Sequence, residues 1–157
     1  MPSQHQALGT RGEKAVCKHA HCPRCNRHCP FKPLTVNFVC VDIICAFCGF
    51  LAQVKTTRLP SDTSSLPDRL PGAAWKPQHE RMLAGIYHGL FVVGFLKDGK
   101  TLVRIDYVPP HILAATPSVF APRQPLRATA KRAGWTGFTF MLSELPAMGI
   151  WRIYPEG

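Results

Sequence analysis

The sequence predicts a mixed α/β domain built around a central sheet. The chain has 157 residues, a length that suits one compact domain. Apolar residues make up 46% of the composition, which is enough to build a core. β-rich segments also alternate with segments of helical character along the chain. We therefore expect residues 1–157 to form a single domain.

The first third of the chain is expected to contain one helix and two strands. A Thr-x-x-Glu pattern at residues 10–13 is typical of a helix start, with Thr10 as the cap. The alternating apolar segments around the second Cys-x-x-Cys pair are typical of strands. The expected order is a disordered lead-in (1–10), a helix (10–20), a knuckle-like loop (21–33) and two strands (34–44 and 49–57).

The remaining two thirds are expected to add one helix and four strands. Asp98-Gly99 supplies the turn of a β-hairpin between two apolar segments. Five prolines make residues 109–125 irregular. The expected order is a surface loop (58–72), a helix (73–89), hairpin strands (90–96 and 101–108), the irregular segment, and two strands (135–142 and 150–155).

The charge of the chain favours a polyanionic partner. The net charge is +10 and the pI is about 9.6, with a denser basic group at residues 122–132. This pattern suits DNA or RNA, although basic proteins without such a partner also exist. The sequence has no apolar run long enough to cross a membrane and no export signal at its start, so a cytoplasmic protein is expected.

Two Cys-x-x-Cys pairs predict a zinc site. Cys22 and Cys25 are separated by nineteen residues from Cys45 and Cys48, and each tight turn can supply two thiolates to a tetrahedral ion. The alternative is four buried free thiols. The remaining candidates, any of which could replace a ligand but which are better explained as surface or core residues, are Cys17, His28, Cys29 and Cys40. The predicted knuckle spans about residues 17–48.

A second polar group lies beside the second cysteine pair. Asp42 precedes the pair, and Gln53 and Lys55 share one face of the following strand because side chains alternate. A carboxylate, an amide oxygen and the Val54 carbonyl could hold a divalent cation, while Lys55 stabilises charge on a phosphate. The alternative is a buried Asp42–Lys55 ion pair, with Gln53 as an ordinary strand residue.

Glu13 is a further candidate for the same chemistry. It follows a Gly-x-Arg-Gly turn on the first predicted helix, where metal-dependent nucleases often place an additional acid. The alternative is that Glu13 caps the helix.

Several motifs resemble one family of restriction enzymes. They are the segment "PLRATAKRAGWTGFTFMLSELPAMGIWRIYP" (125–155), the Cys-Pro-x-Cys pair, the acid three residues before the second pair, the lysine after it, and "GAAWKPQHERM" (72–82). Together they resemble the catalytic domain of DpnI-like endonucleases, the Dam-replacing family. The resemblance covers most of residues 20–157.

The resemblance implies a PD-(D/E)xK fold with a zinc knuckle inserted at the active-site hairpin. Asp42 takes the place of the metal-binding acid, Gln53 the place of a glutamate, and Lys55 the place of the motif lysine. Such enzymes use Mg²⁺ and cleave double-stranded DNA that carries N6-methyladenine, typically in GATC. The expected function is therefore a type II restriction-like deoxyribonuclease.

Two departures from the family pattern keep alternatives open. Gln53 removes a negative charge, so metal affinity should fall, and a catalytically decayed module that binds methylated DNA is the main alternative. The chain also stops where DpnI-like enzymes continue into a winged helix, so weaker DNA binding or a separate recognition partner is expected. A zinc-ribbon protein that acts on RNA is a third possibility.

The basic segment near the end of the chain contains the candidate DNA contacts. Trp135 could meet a base or a methyl group while neighbouring cations hold phosphates. The alternatives are a core tryptophan and solvated charges. The basic candidates are Arg123, Arg127, Lys131 and Arg132.

Overall fold

The computed structural model describes residues 2–35 and 38–156. Val36 and Asn37, inside the predicted strand 34–44, lie outside the described residues. The helices are α1 (Gln4–His19), α2 (Trp75–Leu83) and α3 (Pro110–Ala115). The strands are β1 (Phe31–Pro33), β2 (Ile43–Cys45), β3 (Leu51–Leu59), β4 (Arg69–Ala74), β5 (Gly89–Leu96), β6 (Leu102–Val108), β7 (Phe120–Pro122), β8 (Gly137–Met141) and β9 (Trp151–Tyr154).

A mixed six-stranded sheet forms the centre of the protein, as predicted. Its order is β1-β2-β3-β5-β6-β9, with β3 and β5 parallel and the other neighbours antiparallel. The predicted hairpin joins β5 to β6. Gly99 takes a φ of 68°, and the backbone N–H groups of Lys100 and Thr101 donate to Asp98 Oδ1. The long strand predicted over 34–44 is reduced to β2, because Cys40 has a φ of 65°, which ends extended backbone.

A second sheet, in the order β4-β8-β7, lies outside the sequence prediction. The predicted surface loop 58–72 contains the start of β4, and the segment 109–125 contains α3 and β7. The presence of Pro71 and Pro122 is the reason why the sequence did not predict these strands. Both belong to edge strands, where a residue that cannot donate a ladder hydrogen bond is tolerated.

Helix α1 begins earlier than predicted. Residues 1–10 are not a disordered lead-in, because α1 starts at Gln4. Ser3 caps it: its hydroxyl accepts from the Gln6 backbone N–H, and the Gln6 side chain accepts from the Ser3 N–H. Thr10 is therefore an interior residue, whose hydroxyl donates to the Gln6 carbonyl.

The central sheet has an apolar core on each face. Phe91 and Val93 of β5 pack on the α1 side, and Leu90 and Val92 pack toward the second sheet. Each fully buried side chain of this size contributes about 1.5–3 kcal/mol by leaving water. The sheet is thus flanked by helices, as expected. Across the described ranges, no helix is both long and apolar enough to cross a membrane.

Helix α1 approaches the sheet most closely at a glycine. A Cβ atom placed on Gly12 would overlap Thr56 Oγ1 of β3. That hydroxyl is buried and has no hydrogen-bond partner among the described residues. The contact fixes the height of α1 above β3 and sets the position of the next helical residue, Glu13.

Candidate metal centre and active site

The two cysteine pairs form two turns with the same backbone pattern. In the first turn, the N–H of Asn26 donates to the Cys22 carbonyl at 2.8 Å. In the second turn, the N–H of Gly49 donates to the Cys45 carbonyl at 2.9 Å. Asn26 and Gly49 each follow the second cysteine of their pair and have positive φ values of 60° and 80°. Asparagine and glycine are the residues that tolerate this backbone region best.

The turns bring four sulfur atoms together. Cys22 Sγ lies 3.5 Å from Cys48 Sγ, and Cys25 Sγ lies 3.7 Å from Cys45 Sγ. All four sulfurs lie within 4.8 Å of one another. A tetrahedral ion with Zn–S bonds of about 2.3 Å separates its sulfurs by about 3.8 Å. The cluster could therefore hold a metal such as zinc, in agreement with the sequence prediction.

The thiols of this cluster differ in acidity. Burial raises the pKa of Cys22 to about 12. Burial also acts on Cys45, but the N–H groups of Cys48 and Phe47 and the neighbouring thiols lower its pKa to about 7. A metal bound by thiolates must displace the remaining protons, so binding to this cluster releases acid.

The other cysteines lie outside the four-sulfur cluster. Cys29 donates its S–H to the Lys18 carbonyl at 2.9 Å and lies 3.3 Å from His28 Nε2. Burial raises the pKa of Cys17, which packs against the first core. Cys40 belongs instead to the neighbourhood of Asp42 and Lys55.

Asp42 is fixed against the edge of β3. Strand β2 begins at Ile43, which pairs with Ala52, so the part of β3 that follows Ala52 has no strand partner on that side. The Asp42 N–H donates to the Ala52 carbonyl at 2.9 Å, and Asp42 Oδ2 accepts from the Val54 N–H at 2.7 Å. The carboxylate therefore replaces the missing strand.

The Val54 carbonyl lies on the same edge. In an extended strand, the N–H and C=O of one residue point to the same side. Because the Val54 N–H points to Asp42, its carbonyl oxygen points to that side as well. Asp42 Oδ1 accepts no hydrogen bond among the described residues, so two oxygens at this edge are available to a cation.

Gln53 and Lys55 share one face of β3, as predicted. Ala52 and Val54 pack into the first core, on the α1 side. Alternation along the strand therefore directs Gln53 and Lys55 to the opposite face. Gln53 is 8% exposed, whereas Lys55 is half-buried.

The charges of Asp42 and Lys55 influence each other without direct contact. Burial raises the pKa of Asp42, although the Val54 N–H and the charge of Lys55 oppose this shift. Burial lowers the pKa of Lys55, and Asp42 opposes that shift in turn. Both ion pairs in the described ranges involve Asp106, so the alternative of a simple Asp42–Lys55 ion pair is not found.

Glu13 is the third charged group near this edge. Burial, and then the negative charge of Asp42, raise the pKa of Glu13 to about 7. A capping role is excluded, because Ser3 and Gln6 cap α1 and Glu13 lies within the helix. Asp42 thus interacts electrostatically with both Glu13 and Lys55.

Three residues that the sequence did not indicate lie next to Gln53. Cys40, Gln78 and His88 line a small cavity together with Gln53. Burial and the nearby Arg81 lower the pKa of His88. Gln78 lies in a polar helix, so its pattern resembled a solvated surface. Cys40 was predicted to be a surface or core residue that could replace a zinc ligand.

The predicted DNA-contact residues form a loop between β7 and β8. The Leu126 N–H donates to the Trp135 carbonyl, and the Gly134 N–H donates to the Leu126 carbonyl, which closes the loop. Guanidinium groups lie over the half-buried Trp135 ring, Arg132 at 4.5 Å and Arg123 at 5.9 Å from its centre. Lys131 and Arg127 are exposed in the same loop.

This loop continues into the second sheet next to α2. The Trp75 N–H, at the start of α2, donates to the Thr136 carbonyl at 2.9 Å. Gly137 pairs with Ala74 across the two strands. The hydrogen bonds of the described residues contain no direct link from the loop's cations to Asp42. Helix α2 is the element that contacts the loop at one end and borders Gln53 through Gln78.

These features define a mixed α/β protein with a four-cysteine cluster that could hold a metal and an acidic edge on its central sheet. The model of the family described as DpnI, Dam-replacing family, matches residues 2–156. The match spans nearly the whole chain, so the protein belongs to this family. Membership indicates a restriction-type endonuclease whose substrate is DNA.

Proposed function

We propose that the protein is a metal-dependent endonuclease with a PD-(D/E)xK fold that hydrolyses phosphodiester bonds in adenine-methylated DNA. The observation that carries the proposal is the placement of Asp42. Its carboxylate accepts a hydrogen bond of 2.7 Å from the Val54 N–H at the edge of β3. The same carboxylate interacts electrostatically with Lys55 and Glu13. Acidic side chains and a lysine grouped in this way can catalyse phosphodiester hydrolysis.

The ligands available at this edge suit Mg²⁺. Asp42 Oδ1, Gln53 Oε1 and the Val54 carbonyl are oxygen donors, which hard divalent cations prefer. When bound, the cation would polarise the phosphate and lower the pKa of a water molecule. Gln53 contributes no charge, so Glu13 supplies the second negative group of the site. Its raised pKa of about 7 means that it must lose a proton to do so.

Lys55 would stabilise the negative charge that develops on the scissile phosphate. Burial makes an unpaired ammonium group costly, as its lowered pKa reflects. An anionic phosphate close to Lys55 relieves this cost. Because charge builds up on the phosphate oxygens during hydrolysis, the interaction favours the transition state.

The four-cysteine cluster would hold a structural zinc ion. Its four sulfurs occupy every position of a tetrahedral site, so no position remains for a substrate. Cys45 also ends β2, the strand that Asp42 precedes. The zinc ion would thus hold β2 against β3 and keep Asp42 at its edge.

The loop between β7 and β8 would contact DNA. Its exposed cations, Arg127 and Lys131, are available to backbone phosphates. Trp135 offers an aromatic surface for a base or for the N6-methyl group of adenine, with GATC as the expected context. The two guanidinium groups over its ring hold the indole in place.

Plasmid cleavage tests this proposal. With zinc-loaded protein and Mg²⁺, adenine-methylated plasmid should be nicked or cut and unmethylated plasmid left intact. Asp42→Ala should abolish cleavage. Asp62→Ala, in an exposed loop, is the matched control and should cleave like the original protein. Equal cleavage by Asp42→Ala would refute the assignment of this edge as the active site.

The second candidate function is a binding module that recognises methylated DNA without cutting it. Gln53 favours this alternative, because the missing charge weakens metal binding. Gln53→Glu distinguishes the two functions. If the original protein binds methylated DNA but is inert, and Gln53→Glu cleaves, the binding module is the better description.

A further inference from the structure

The most buried residue of α2 is polar. Of the nine residues Trp75–Leu83, the buried one is Gln78, which is 7% exposed. A helix normally packs apolar side chains against its sheet. A buried amide costs about 1–3 kcal/mol unless its hydrogen bonds are satisfied. The Gln78 amide is therefore expected to meet a polar group or a water molecule at its head group.

Gln78 and Gln53 border the same cavity. Their side chains make no hydrogen bond with any other described residue. The cavity between them measures about 10 Å³, which is close to the minimum for one water molecule. Its other walls are largely apolar, including Leu113 and Phe140. Gln53 and Gln78 thus border one cavity whose size suits a single water molecule.

An amide in a metal site presents a problem that a carboxylate does not. A glutamate offers two equivalent oxygens, so either orientation of its head group can bind a cation. A glutamine offers one oxygen and one NH₂ group, and rotation by 180° turns the NH₂ toward the cation. In that orientation the cation loses an oxygen ligand, and the partial positive charge of the NH₂ group repels it. A Gln-x-Lys site therefore needs an acceptor that holds the NH₂ group away from the metal.

We propose that Gln78 is the positioning residue that orients the Gln53 amide for cation binding. This inference depends on the proposed metal site at Asp42. The Gln78 Oε1 accepts a hydrogen bond from the Gln53 Nε2, relayed by one water molecule in the cavity, and Gln53 Oε1 then faces the cation. Three other side chains with polar groups line the cavity, and each of them is more exposed than Gln78: Cys40, Tyr87 and His88.

Mn²⁺ binding measured by electron paramagnetic resonance tests this inference without relying on catalysis. The protein is zinc-loaded and free of DNA. Gln78→Met keeps the side-chain volume and removes the acceptor, and loss of an outer-sphere partner typically weakens a metal site 10- to 100-fold. We expect the Mn²⁺ Kd to rise by that factor while the melting temperature stays constant or increases. Gln124→Met, at an exposed position, should change neither quantity.

Two further variants separate orientation from packing. Gln78→Glu retains an acceptor and should keep the Mn²⁺ Kd within about threefold of the original value, a difference well under the tenfold that 1.4 kcal/mol represents. In a Gln53→Glu background the amide problem does not exist, so Gln78→Met should no longer weaken binding. An equal loss in both backgrounds would assign Gln78 a packing role and overturn the inference.

The proposed metal site has its own control. Asp42→Ala should abolish Mn²⁺ binding at this position. If it does, and Gln78→Met binds Mn²⁺ normally, the positioning role fails while the metal site stands. If Asp42→Ala binds Mn²⁺ like the original protein, the metal site fails, and the role of Gln78 fails with it.

Discussion

The four-cysteine cluster and the acidic edge of β3 lie at opposite ends of β2, yet they are built in different ways. The cluster comes from two local turns with identical hydrogen bonds, so each half forms from five consecutive residues. The edge gathers Glu13 from α1, Asp42 from a loop, Gln53 and Lys55 from β3 and Gln78 from α2. A site formed by local turns can be predicted from the spacing of its residues, whereas a site formed by distant segments depends on the whole fold.

The two sites also differ in their effect on stability. A tetrahedral zinc ion bound by four thiolates stabilises the folded chain. At the acidic edge, burial disfavours the charged forms of Asp42 and Lys55, which destabilises the folded chain when both are ionised. In the proposed function, zinc bound at the cluster would offset the destabilisation that the active site at the edge causes.

Loss of one zinc ligand should have the largest effect. Structural zinc sites contribute on the order of 10 kcal/mol to folding. Cys22→Ser should therefore lose the metal and the cooperative thermal transition, as measured by zinc analysis and circular dichroism. Cys29→Ser lies outside the cluster and should retain one zinc ion per chain. A stable, zinc-free Cys22→Ser protein would contradict the stabilising role.

Removal of the charge at Lys55 should affect catalysis without unfolding. Lys55→Met should lower the cleavage rate by about 10²–10³-fold, the range for loss of one transition-state charge stabiliser. The melting temperature should stay constant or rise, because burial disfavours the charged lysine. Lys97→Met, in the exposed hairpin, is the control. A full cleavage rate for Lys55→Met would remove this residue from the active site.

Trp135→Ala should reduce discrimination for methylated DNA. Stacking of one base on an aromatic ring contributes about 1–3 kcal/mol, so binding should weaken by about 5- to 150-fold. Fluorescence anisotropy with methylated and unmethylated duplexes measures the change. Trp151→Ala removes an indole that is 50% exposed on β9 and serves as the control. Equal losses for both variants would show that Trp135 has no specific role.

The pKa of Glu13 predicts a pH-dependent metal site. Because the pKa of Glu13 is raised to about 7 in the folded protein, protonated Glu13 stabilises the metal-free fold. This contribution to stability is complete below the pKa of Glu13 in the unfolded chain, and it is lost as the pH rises through 7. Metal binding needs the ionised form. The affinity for Mn²⁺ should therefore rise about tenfold between pH 6 and pH 8, as titration of one acid implies. Glu13→Gln should abolish most of this dependence; an unchanged profile would exclude Glu13.

The smallest expected effect concerns the exposed cations of the loop between β7 and β8. Each phosphate contact contributes about 0.9 to the slope of log K against log salt concentration. Arg127→Ala and Lys131→Ala should each reduce the slope by that amount, measured between 50 and 200 mM salt. Arg69→Ala, exposed on β4, is the control. A slope that changes equally for all three variants would mean that the loop is no special DNA contact.

The sequence predicted the parts of the molecule whose chemistry is local. The cysteine turns, the β5–β6 hairpin at Asp98-Gly99 and the shared face of Gln53 and Lys55 all follow from short-range spacing. Family motifs added the class of enzyme. These predictions required no knowledge of how distant elements pack.

The missed features depend on tertiary structure. Strand β4 contains Pro71, which a sheet tolerates only because β4 lies at an edge. The start of α1 depends on a Ser3–Gln6 cap inside a polar segment that resembled disorder. Gln78 lies in a helix whose sequence is mostly polar, and its burial follows only from the packing of α2 next to Gln53.

The contact between Gly12 and Thr56 sets a distance on which the acidic edge depends. Glycine weakens a helix by about 1 kcal/mol relative to alanine, so its presence in the middle of α1 looks unfavourable when the helix is considered alone. A methyl group there would lift α1 away from β3 and carry the adjoining carboxylate with it. Because Gly12 lacks a Cβ atom, the carboxylate of the adjoining Glu13 can approach β3.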